Sequence, residues 1–320
     1  MVDVLGNEVK YSEGNGENKM KEDIRKFARI GLVHHLLYPD CIKDPDYHVK
    51  TLLEFIQRKD IETFDCCIPY GEERRKKVID RVRNSGKEVV YALHLFPNRK
   101  ISLASLCPQE QGLSRIVIKD QIDIAATIGA TGFVFISGAD LPENRNGAKK
   151  CFLDFCKWFC SELKPHGMNA LLEPFDRTID KKFLFGPIDE CVEFLDSFSN
   201  EVNNIGILLD FAHLPLMGDD FQYSIFKTGP YLKRVHLGNC VLKNKNNPLY
   251  GDQHPPIGIK EGEIDIPELT VILKSLLKTG YLNKVRRGAL ILEMTPFPGK
   301  SVEYTITDSF ERLEKAWEMV

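Results

Sequence analysis

The feature that most constrains the fold of this chain is a regular alternation of short apolar runs with amphipathic segments. Continuous apolar runs rich in Val, Ile, Leu and Phe are typical of strands that are buried on both faces, as in a parallel sheet. Eight such runs are predicted as strands: Ala28–Val33, Thr63–Ile68, Glu88–Leu93, Gly132–Ile136, Asn169–Leu172, Gly206–Leu209, Arg234–Leu237 and Ala289–Leu292.

The segments between these runs carry apolar residues at helical spacing. They predict helices over Val49–Arg58, Glu72–Asn84, Val117–Ile128, Ala148–Leu163, Ile188–Phe198, Ile266–Leu277 and Asp308–Val320. The last helix is expected to begin at the capping sequence Thr307-Asp-Ser. Alternating strands and helices predict a parallel α/β fold, and eight units close a single-domain (β/α)8 TIM barrel. A doubly wound sheet is the alternative, but no Gly-x-Gly-x-x-Gly follows any of the runs.

The start of the chain differs in composition from the rest. Residues 1–28 are polar and rich in Gly and Asn, and we interpret them as an N-terminal arm or short hairpin. Residues 29–320 then form the catalytic barrel, whose length fits a barrel of roughly 250 residues with insertions.

Charge and cysteine content exclude several classes of protein. The chain has 43 Lys and Arg against 46 Asp and Glu, so it lacks the basic excess of a nucleic-acid binder. It has neither an apolar run of membrane-spanning length nor a signal-peptide core. Nine cysteines, an odd number, favour free thiols in a reducing compartment, so we expect a cytoplasmic protein. A homo-oligomer is compatible with these features.

Four consecutive predicted strands end in residues capable of chemistry. These strand ends are Leu-Leu-Glu173, Leu-Leu-Asp210, Arg-Val-His236 and Ile-Leu-Glu293. A single carboxylate at a strand end is often a helix cap, but four groups in succession are not explained in that way. The C-terminal strand ends of a barrel meet at one mouth, where desolvated carboxylates repel one another unless a cation lies among them. Three carboxylates and an imidazole suit Mn²⁺, Mg²⁺ or Co²⁺ better than a structural zinc.

Further polar residues are predicted at the same mouth. His213 follows Asp210 in an Asp-x-x-His pair, and it either orients Asp210 or contacts substrate or metal. His236 is followed by Gly238-Asn239, which we expect to be flexible. The stiff segment Gly251-Asp252-Gln-His254-Pro-Pro is either a lid or a source of two more site residues.

The remaining histidines have weaker signals. His94 ends the third strand and would line the mouth, whereas His34 and His35 end the first strand and point in opposite directions. For these three, packing or polar lining is favoured over metal ligation. His48 and His166 lie in or beside helices and are predicted to be on the surface.

The ordered combination of strand ends resembles the xylose isomerase-like TIM-barrel superfamily. It is most similar to the sugar-phosphate isomerase/epimerase group, which includes ketose 3-epimerases, and the motifs that carry the likeness lie in strands five to eight. The resemblance implies one divalent metal per chain, Mn²⁺ or else Mg²⁺, Co²⁺ or Zn²⁺, held by Glu173, Asp210, His236 and Glu293. It also implies that Glu173 and Glu293 are the acid/base pair. His213 would then contact a substrate oxygen, with His254, Asp252 and His94 as further substrate-binding residues.

Two departures narrow the implied function. Ketose 3-epimerases carry an Arg in the loop after strand seven, where this sequence has Asp252-x-His254. Apurinic endonucleases of the same superfamily share the Asp-x-His but need a histidine at the end of strand four, where this chain has Ser137. We therefore expect a small-molecule sugar substrate rather than DNA.

The expected chemistry is proton transfer next to a sugar carbonyl through an enediolate stabilised by the metal. Returning the proton on the opposite face gives epimerisation, and returning it to the adjacent carbon gives an aldose–ketose isomerisation. Loss of a β-hydroxyl instead gives dehydration of a keto-sugar or inosose. These three outcomes share one site, and a metal-dependent nuclease is the remaining alternative.

Overall fold

The computed structural model describes residues 22–92 and 102–320. Eight parallel strands close into a barrel in chain order, with β8 paired to β1, as the apolar runs predict. The strands are β1 Ala28–Val33, β2 Thr63–Cys66, β3 Glu88–Ala92, β4 Gly132–Phe135, β5 Asn169–Leu172, β6 Ile205–Asp210, β7 Leu232–Leu237 and β8 Gly288–Leu292. The (β/α)8 fold of a single domain is therefore confirmed.

Ten α-helices of the described residues surround the strands. They are α1 His34–Leu37, α2 Pro45–Phe55, α3 Glu72–Arg83, α4 Pro108–Thr127, α5 Arg145–Leu163, α6 Ile188–Asp196, α7 His213–Met217, α8 Phe221–Thr228, α9 Ile266–Lys278 and α10 Val302–Glu318. Short 3₁₀ turns occupy Ile24–Lys26, Pro39–Ile42, Pro142–Asn144 and Lys164–His166. None of the described helices is long and apolar enough to cross a membrane.

The predicted start of the last helix is wrong. The helix begins six residues earlier than expected, because the Ser301 hydroxyl caps it by accepting a hydrogen bond from the backbone N–H of Tyr304. The predicted cap therefore lies inside the helix, where Asp308 pairs with Arg312 one turn later at 2.7 Å. A hydroxyl or carboxylate in a helical sequence marks a cap only where the preceding turn is not helical, and local spacing does not reveal that.

The alternation of side chains along each strand decides what reaches the barrel interior. Val90, Val134, Leu171 and Leu208 pack against one another inside the barrel. On the opposite parity, residues such as Leu172, Leu209 and Leu237 belong to the large core between the barrel and the helices. A side chain two residues beyond an inward-facing one therefore faces inward as well, at the C-terminal mouth.

The beginning of the described chain is fixed to the last helix. The indole N–H of Trp317 donates to the carbonyl of Glu22 at 2.6 Å, and Phe27 packs on the same ring. The predicted arm over residues 1–28 falls mostly outside the described residues. Its last residues form the first 3₁₀ turn and lead directly into β1.

Candidate functional site

The four predicted strand-end residues meet at the C-terminal mouth of the barrel. One donor atom from each of Glu173, Asp210, His236 and Glu293 lies within 4.8 Å of the others. All four side chains are buried, with residue exposures between 1% and 8%. The parity of the strands explains this convergence, because Asp210 follows inward-facing Leu208, and Glu173 follows inward-facing Leu171.

This arrangement fits a divalent cation. Oδ1 of Asp210 accepts the backbone N–H of Ala212 at 2.8 Å, but its buried Oδ2 has no hydrogen-bond partner among the described residues. A buried carboxylate oxygen without a partner costs free energy unless a cation or proton satisfies it. Three carboxylates and one imidazole are the oxygen-rich donor set that Mn²⁺, Mg²⁺ or Co²⁺ accepts.

Gly238 makes room for this cluster. A Cβ at this position would lie 2.6 Å from Oδ1 of Asp210 and 3.0 Å from Nδ1 of His254. The absence of a side chain therefore lets the loop after β7 run directly over the site. The sequence led us to expect that Gly238-Asn239 is flexible, but Asn239 is fully buried and held by hydrogen bonds. Its side-chain amide donates to the carbonyl of Pro256, and its oxygen accepts the N–H groups of Glu263 and Ile264.

His236 is held from both sides by carboxylates. Nδ1 contacts Oε2 of Glu293 closely, and Nε2 lies 3.0 Å from Oδ2 of Asp65 on β2. Asp65 is fully buried and is also bonded by the guanidinium of Arg234, whose Nε donates to Oδ1 at 3.0 Å. A carboxylate on the far nitrogen of a histidine fixes its tautomer and orientation, as is usual for metal-binding histidines.

A second group of donors adjoins the first. His213, Asp210 and His254 also place one donor atom each within 4.8 Å of one another. Asp252 lies behind both histidines, with Oδ1 2.9 Å from Nε2 of His254 and 3.4 Å from Nδ1 of His213. His213 is further positioned by the ring of Phe175, at 4.1 Å between centroids, and by Oε1 of Glu173 at 3.2 Å from its Nε2.

Asp252 joins the loops after β5 and β7. Its Oδ2 lies 2.8 Å from Nζ of Lys181, and its backbone N–H donates to Asp180 at 2.8 Å. Asp176 shapes the first loop, because its carboxylate accepts four consecutive N–H groups, from Thr178 to Lys181. His254 adopts a left-handed backbone with φ of 46°, and its carbonyl accepts both the N–H and the hydroxyl of Thr295 after β8. Non-glycine residues in this region are uncommon and concentrate at functional sites.

The excess of carboxylates perturbs the titration of the site. Burial raises the pKa of Asp210 to about 7, and the charge of Glu293 adds to this effect. Burial alone would lower the pKa of His236, but Glu293 and Asp65 outweigh it and hold the pKa well above its usual value. The pKa of His254 is likewise raised to about 9 against the effect of burial, chiefly by Asp252. Without a cation, protons therefore supply the positive charge that this cluster requires.

The other sequence-predicted residues have different outcomes. His213, Asp252 and His254 come together with the four strand-end residues, whereas His94 lies outside the described residues. Ser137 at the end of β4 accepts the N–H of Phe185 and offers no imidazole.

The histidines away from the mouth require one correction. His34 is buried, with the rings of Tyr38 and Phe55 against it, and His166 is exposed, as predicted. The prediction that His48 is a surface residue is wrong, because it is 3% exposed and stacks on His34. Its position in or beside a predicted helix does not show which way the side chain points, and in the structure His48 lies within α2 on the buried side.

Three contributing residues were missed by the sequence reasoning. Asp65 was hidden in an apolar run, although a carboxylate inside Thr63-Phe-Asp-Cys is itself unusual. Arg234 has the same strand parity as His236, so alternation could have indicated that it faces inward. Lys181 lies in a loop, where no periodicity applies.

Comparisons with known proteins agree with the fold. The family model described as xylose isomerase-like TIM barrel matches residues 52–316. No curated protein matches the chain.

Solved structures share the fold at low sequence identity. A D-tagatose 3-epimerase-like protein is 14% identical, covers 90% of this chain and 98% of its own, and has a TM-score of 0.66. A 3-keto-D-glucoside 4-epimerase from E. coli is 15% identical, with coverages of 90% and 99% and a TM-score of 0.65. An AP endonuclease of family 2 from Brucella melitensis is 15% identical, with coverages of 89% and 98% and a TM-score of 0.67. Since the family model spans most of the chain, this protein belongs to the xylose isomerase-like TIM barrel family.

Proposed function

We propose that this protein is a divalent-metal-dependent sugar isomerase or epimerase that moves a proton next to a carbonyl group. The observation that carries the proposal is the convergence of Glu173, Asp210, His236 and Glu293 within 4.8 Å. Oδ2 of Asp210 is buried and accepts no hydrogen bond from the described residues, which supports a cation among them. Mn²⁺ is the ion we propose, and Mg²⁺, Co²⁺ and Zn²⁺ are also compatible with the donor set.

The proposed roles follow from the positions of the side chains. When bound, the cation would polarise a substrate carbonyl as a Lewis acid. Glu173 and Glu293 extend from β5 and β8, on different sides of the mouth, so one carboxylate can remove the α-proton while the other returns it. His213 contacts Glu173 and is held by Asp252, which suits a donor to a substrate oxygen. His254 and, outside the described residues, His94 are proposed to complete the substrate-binding surface.

The names of the structural neighbours agree with this chemistry. Two of them are a D-tagatose 3-epimerase-like protein and a 3-keto-D-glucoside 4-epimerase, whose names both denote inversion at a sugar carbon. At 14–15% identity these names support a class of reaction and no particular sugar. Epimerisation, isomerisation and dehydration of a keto-sugar all begin with the same proton removal.

The test is exchange of the substrate α-proton with solvent. The protein is incubated in D₂O with Mn²⁺ or Mg²⁺ and a panel of ketoses, keto-glycosides and inososes, and deuterium uptake is followed by NMR. We expect uptake with at least one substrate. The Glu293→Gln variant should lose the exchange while retaining part of the metal binding, and the exposed Glu143→Gln variant should behave as wild type. Full exchange in Glu293→Gln would remove Glu293 from the acid/base role.

A metal-dependent nuclease is the second candidate. The observation that favours it is the adjoining donor group of Asp210, His213 and His254, and one structural neighbour is named an AP endonuclease. The net charge of −3 and Ser137 in place of a histidine favour the sugar enzyme. Metal analysis after loading with Zn²⁺ separates the two, because three ions per chain together with cleavage of abasic duplex DNA would support the nuclease.

We also propose that the protein acts on a free small molecule in the cytoplasm. The nine cysteines all lie in the described part of the chain, and none of them forms a disulfide there. Unpaired thiols are typical of reducing compartments.

A further inference from the structure

A buried group of two histidines and a cysteine lies beside the first two strands and shares no residue with the four strand-end residues at the barrel mouth. One donor atom from each of His34, Cys41 and His48 lies within 4.8 Å of the others. The three residues come from the start of α1, the 3₁₀ turn Pro39–Ile42 and α2. Their exposures are 0%, 1% and 3%, so the group is closed to solvent.

The hydrogen bonds of His34 determine which nitrogen is available. The hydroxyl of Thr51 donates to the carbonyl of Tyr47 at 3.0 Å, so it has no second proton to donate. The carbonyl of His48 lies 3.3 Å from the same hydroxyl, so we assign its single proton to the two carbonyls and the proton of the His34 ring to Nε2, 3.1 Å from the hydroxyl oxygen. Nδ1 then carries a bare lone pair, which is buried and has no hydrogen-bond partner among residues 22–92 and 102–320.

His48 also has a hydrogen bond at Nε2. Its Nε2 lies 3.2 Å from the carbonyl oxygen of Cys67, which can only accept, so Nε2 carries the proton. In a neutral His48 ring the lone pair is then on Nδ1. The two imidazole rings are nearly parallel, at 15° and 5.3 Å between centroids. Histidines that bind metals usually donate their second N–H in this way to a carbonyl, a carboxylate or a hydroxyl.

Packing alone does not account for this group. The rings of Tyr38 and Phe55 contact His34 and explain why it is buried. They do not satisfy a buried lone pair, and a hydrocarbon side chain would fill the same space without that cost. Burial also raises the pKa of Cys41 to about 12, so the thiol is protonated without a metal. It becomes a thiolate ligand when a bound cation displaces the proton.

We propose that His34, Cys41 and His48 form a Zn²⁺-binding site that holds together α1, the 3₁₀ turn Pro39–Ile42 and α2 within the first βα unit of the barrel. Two imidazoles and a thiolate without a carboxylate are the donor set of zinc rather than of Mn²⁺ or Mg²⁺. His34 directly follows β1, and the carbonyl that orients His48 belongs to Cys67, directly after β2. The ion would therefore fix α1, the 3₁₀ turn and α2 at the same end of the barrel as the mouth.

The donor set allows a test that distinguishes this site from the barrel mouth. Co²⁺, as a spectroscopic substitute for Zn²⁺, is added to the reduced full-length protein, and the near-ultraviolet thiolate-to-cobalt charge-transfer band is recorded. The four residues at the mouth include no cysteine, so cobalt bound there gives no such band. We expect the band in the wild type and its loss when Zn²⁺ is added. A folded wild type that binds cobalt without the band would overturn the proposal.

Two variants and one control locate the thiolate. Cys41→Ser removes it, whereas His48→Gln keeps an amide donor towards the Cys67 carbonyl and removes the Nδ1 lone pair. Both variants should lose the band and one equivalent of cobalt. Cys191→Ser, which changes another buried free cysteine, should keep both. If Cys41→Ser does not fold, His48→Gln decides, and a band that persists in His48→Gln contradicts the site.

Discussion

Oδ2 of Asp65 lies 3.0 Å from Nε2 of His236, so the nitrogen that faces away from Glu293 is engaged by a fully buried carboxylate. Arg234 in turn bonds Asp65 and keeps it ionised, and the guanidinium and the imidazole hold the pKa of Asp65 low despite burial. The chain Arg234–Asp65–His236 therefore orients the imidazole so that Nδ1 is presented to the mouth. In this barrel a side chain of β2 therefore positions His236 on β7.

Replacing Asp65 tests this positioning role. Asp65→Asn should weaken metal binding by about 10- to 100-fold, because the imidazole loses the group that fixes its tautomer. It should also destabilise the protein by roughly 3–5 kcal/mol, since the buried guanidinium of Arg234 is left without its main counter-charge. Metal titration by calorimetry and unfolding in urea measure the two effects.

The two effects of the Asp65 change can be separated. In Asp65→Asn/Arg234→Met the uncompensated charge is gone, so stability should largely recover while metal affinity stays low. The control is Glu62→Gln. Glu62 directly precedes β2, and its carboxylate pairs with Arg287 near the surface, so this change should leave metal affinity unchanged. Wild-type affinity in the double variant would show that Asp65 has no positioning role.

The loop after β7 approaches Asp210 so closely at Gly238 that adding one methyl group there should weaken metal binding strongly. In Gly238→Ala the new Cβ would lie 2.6 Å from Oδ1 of Asp210, so Asp210 or the loop must move. We expect metal affinity to fall by at least about 10-fold, measured by competition with a chelating dye. Gly112→Ala in α4 is the control, because a Cβ there meets no described atom within 4 Å. It should be neutral or stabilise the helix by about 1 kcal/mol.

The raised pKa values predict how the metal-free protein responds to pH. His254 holds its proton more tightly when folded, so its contribution to stability is present below the usual histidine pKa of about 6.5. This contribution is lost as pH rises through about 9. Asp210 acts in the same direction, because its pKa is raised to about 7 and the folded protein loses stability as that proton leaves. Unfolding in urea after chelator treatment should therefore show that the free energy of unfolding falls as pH rises from about 6.5 to about 9.

Bound metal should abolish this loss of stability with rising pH. A bound cation replaces the protons, so metal-loaded protein should not lose stability as pH rises from about 6.5 to 9, and metal binding should release protons. Calorimetry in two buffers of different ionisation enthalpy counts the protons. The His254→Gln variant should flatten the metal-free profile, and the same change at exposed His166 should not. A metal-free profile that rises with pH would contradict the assignment.

The link between Lys181 and Asp252 predicts a loop effect. Lys181→Met removes the ammonium group 2.8 Å from Oδ2 of Asp252, while the contacts of that carboxylate with His213 and His254 remain. We expect a loss of about 1–2 kcal/mol in stability, the lower part of the range for a charged hydrogen bond, because Lys181 is partly exposed. If the proposed reaction is correct, KM should rise more than kcat falls. Lys182→Met, at the exposed neighbouring position, should leave stability, KM and kcat unchanged.

Local pattern was sufficient for the barrel and for the four residues at its mouth. A strand covered on both faces must be apolar along its whole length, so the eight runs are visible in the chain itself. Where such a run ends in Glu173, Asp210, His236 or Glu293, chain order alone assigns the residue to the C-terminal mouth. The start of α10 was misplaced, because a cap depends on the backbone before it, and Ser301 supplies that turn.

Only the closed tertiary structure determined what surrounds those four residues. Asp65 and Arg234 are 169 residues apart, and their contact exists because strands β2 and β7 both send a side chain into the same barrel interior. His48 was predicted on the surface because it lies in or beside a helix, yet the packing of α2 on the barrel brings it to His34 and Cys41. Periodicity specifies which way a side chain points within its own element. The partner it meets depends on how distant elements close around one core, and that information is distributed over the whole chain.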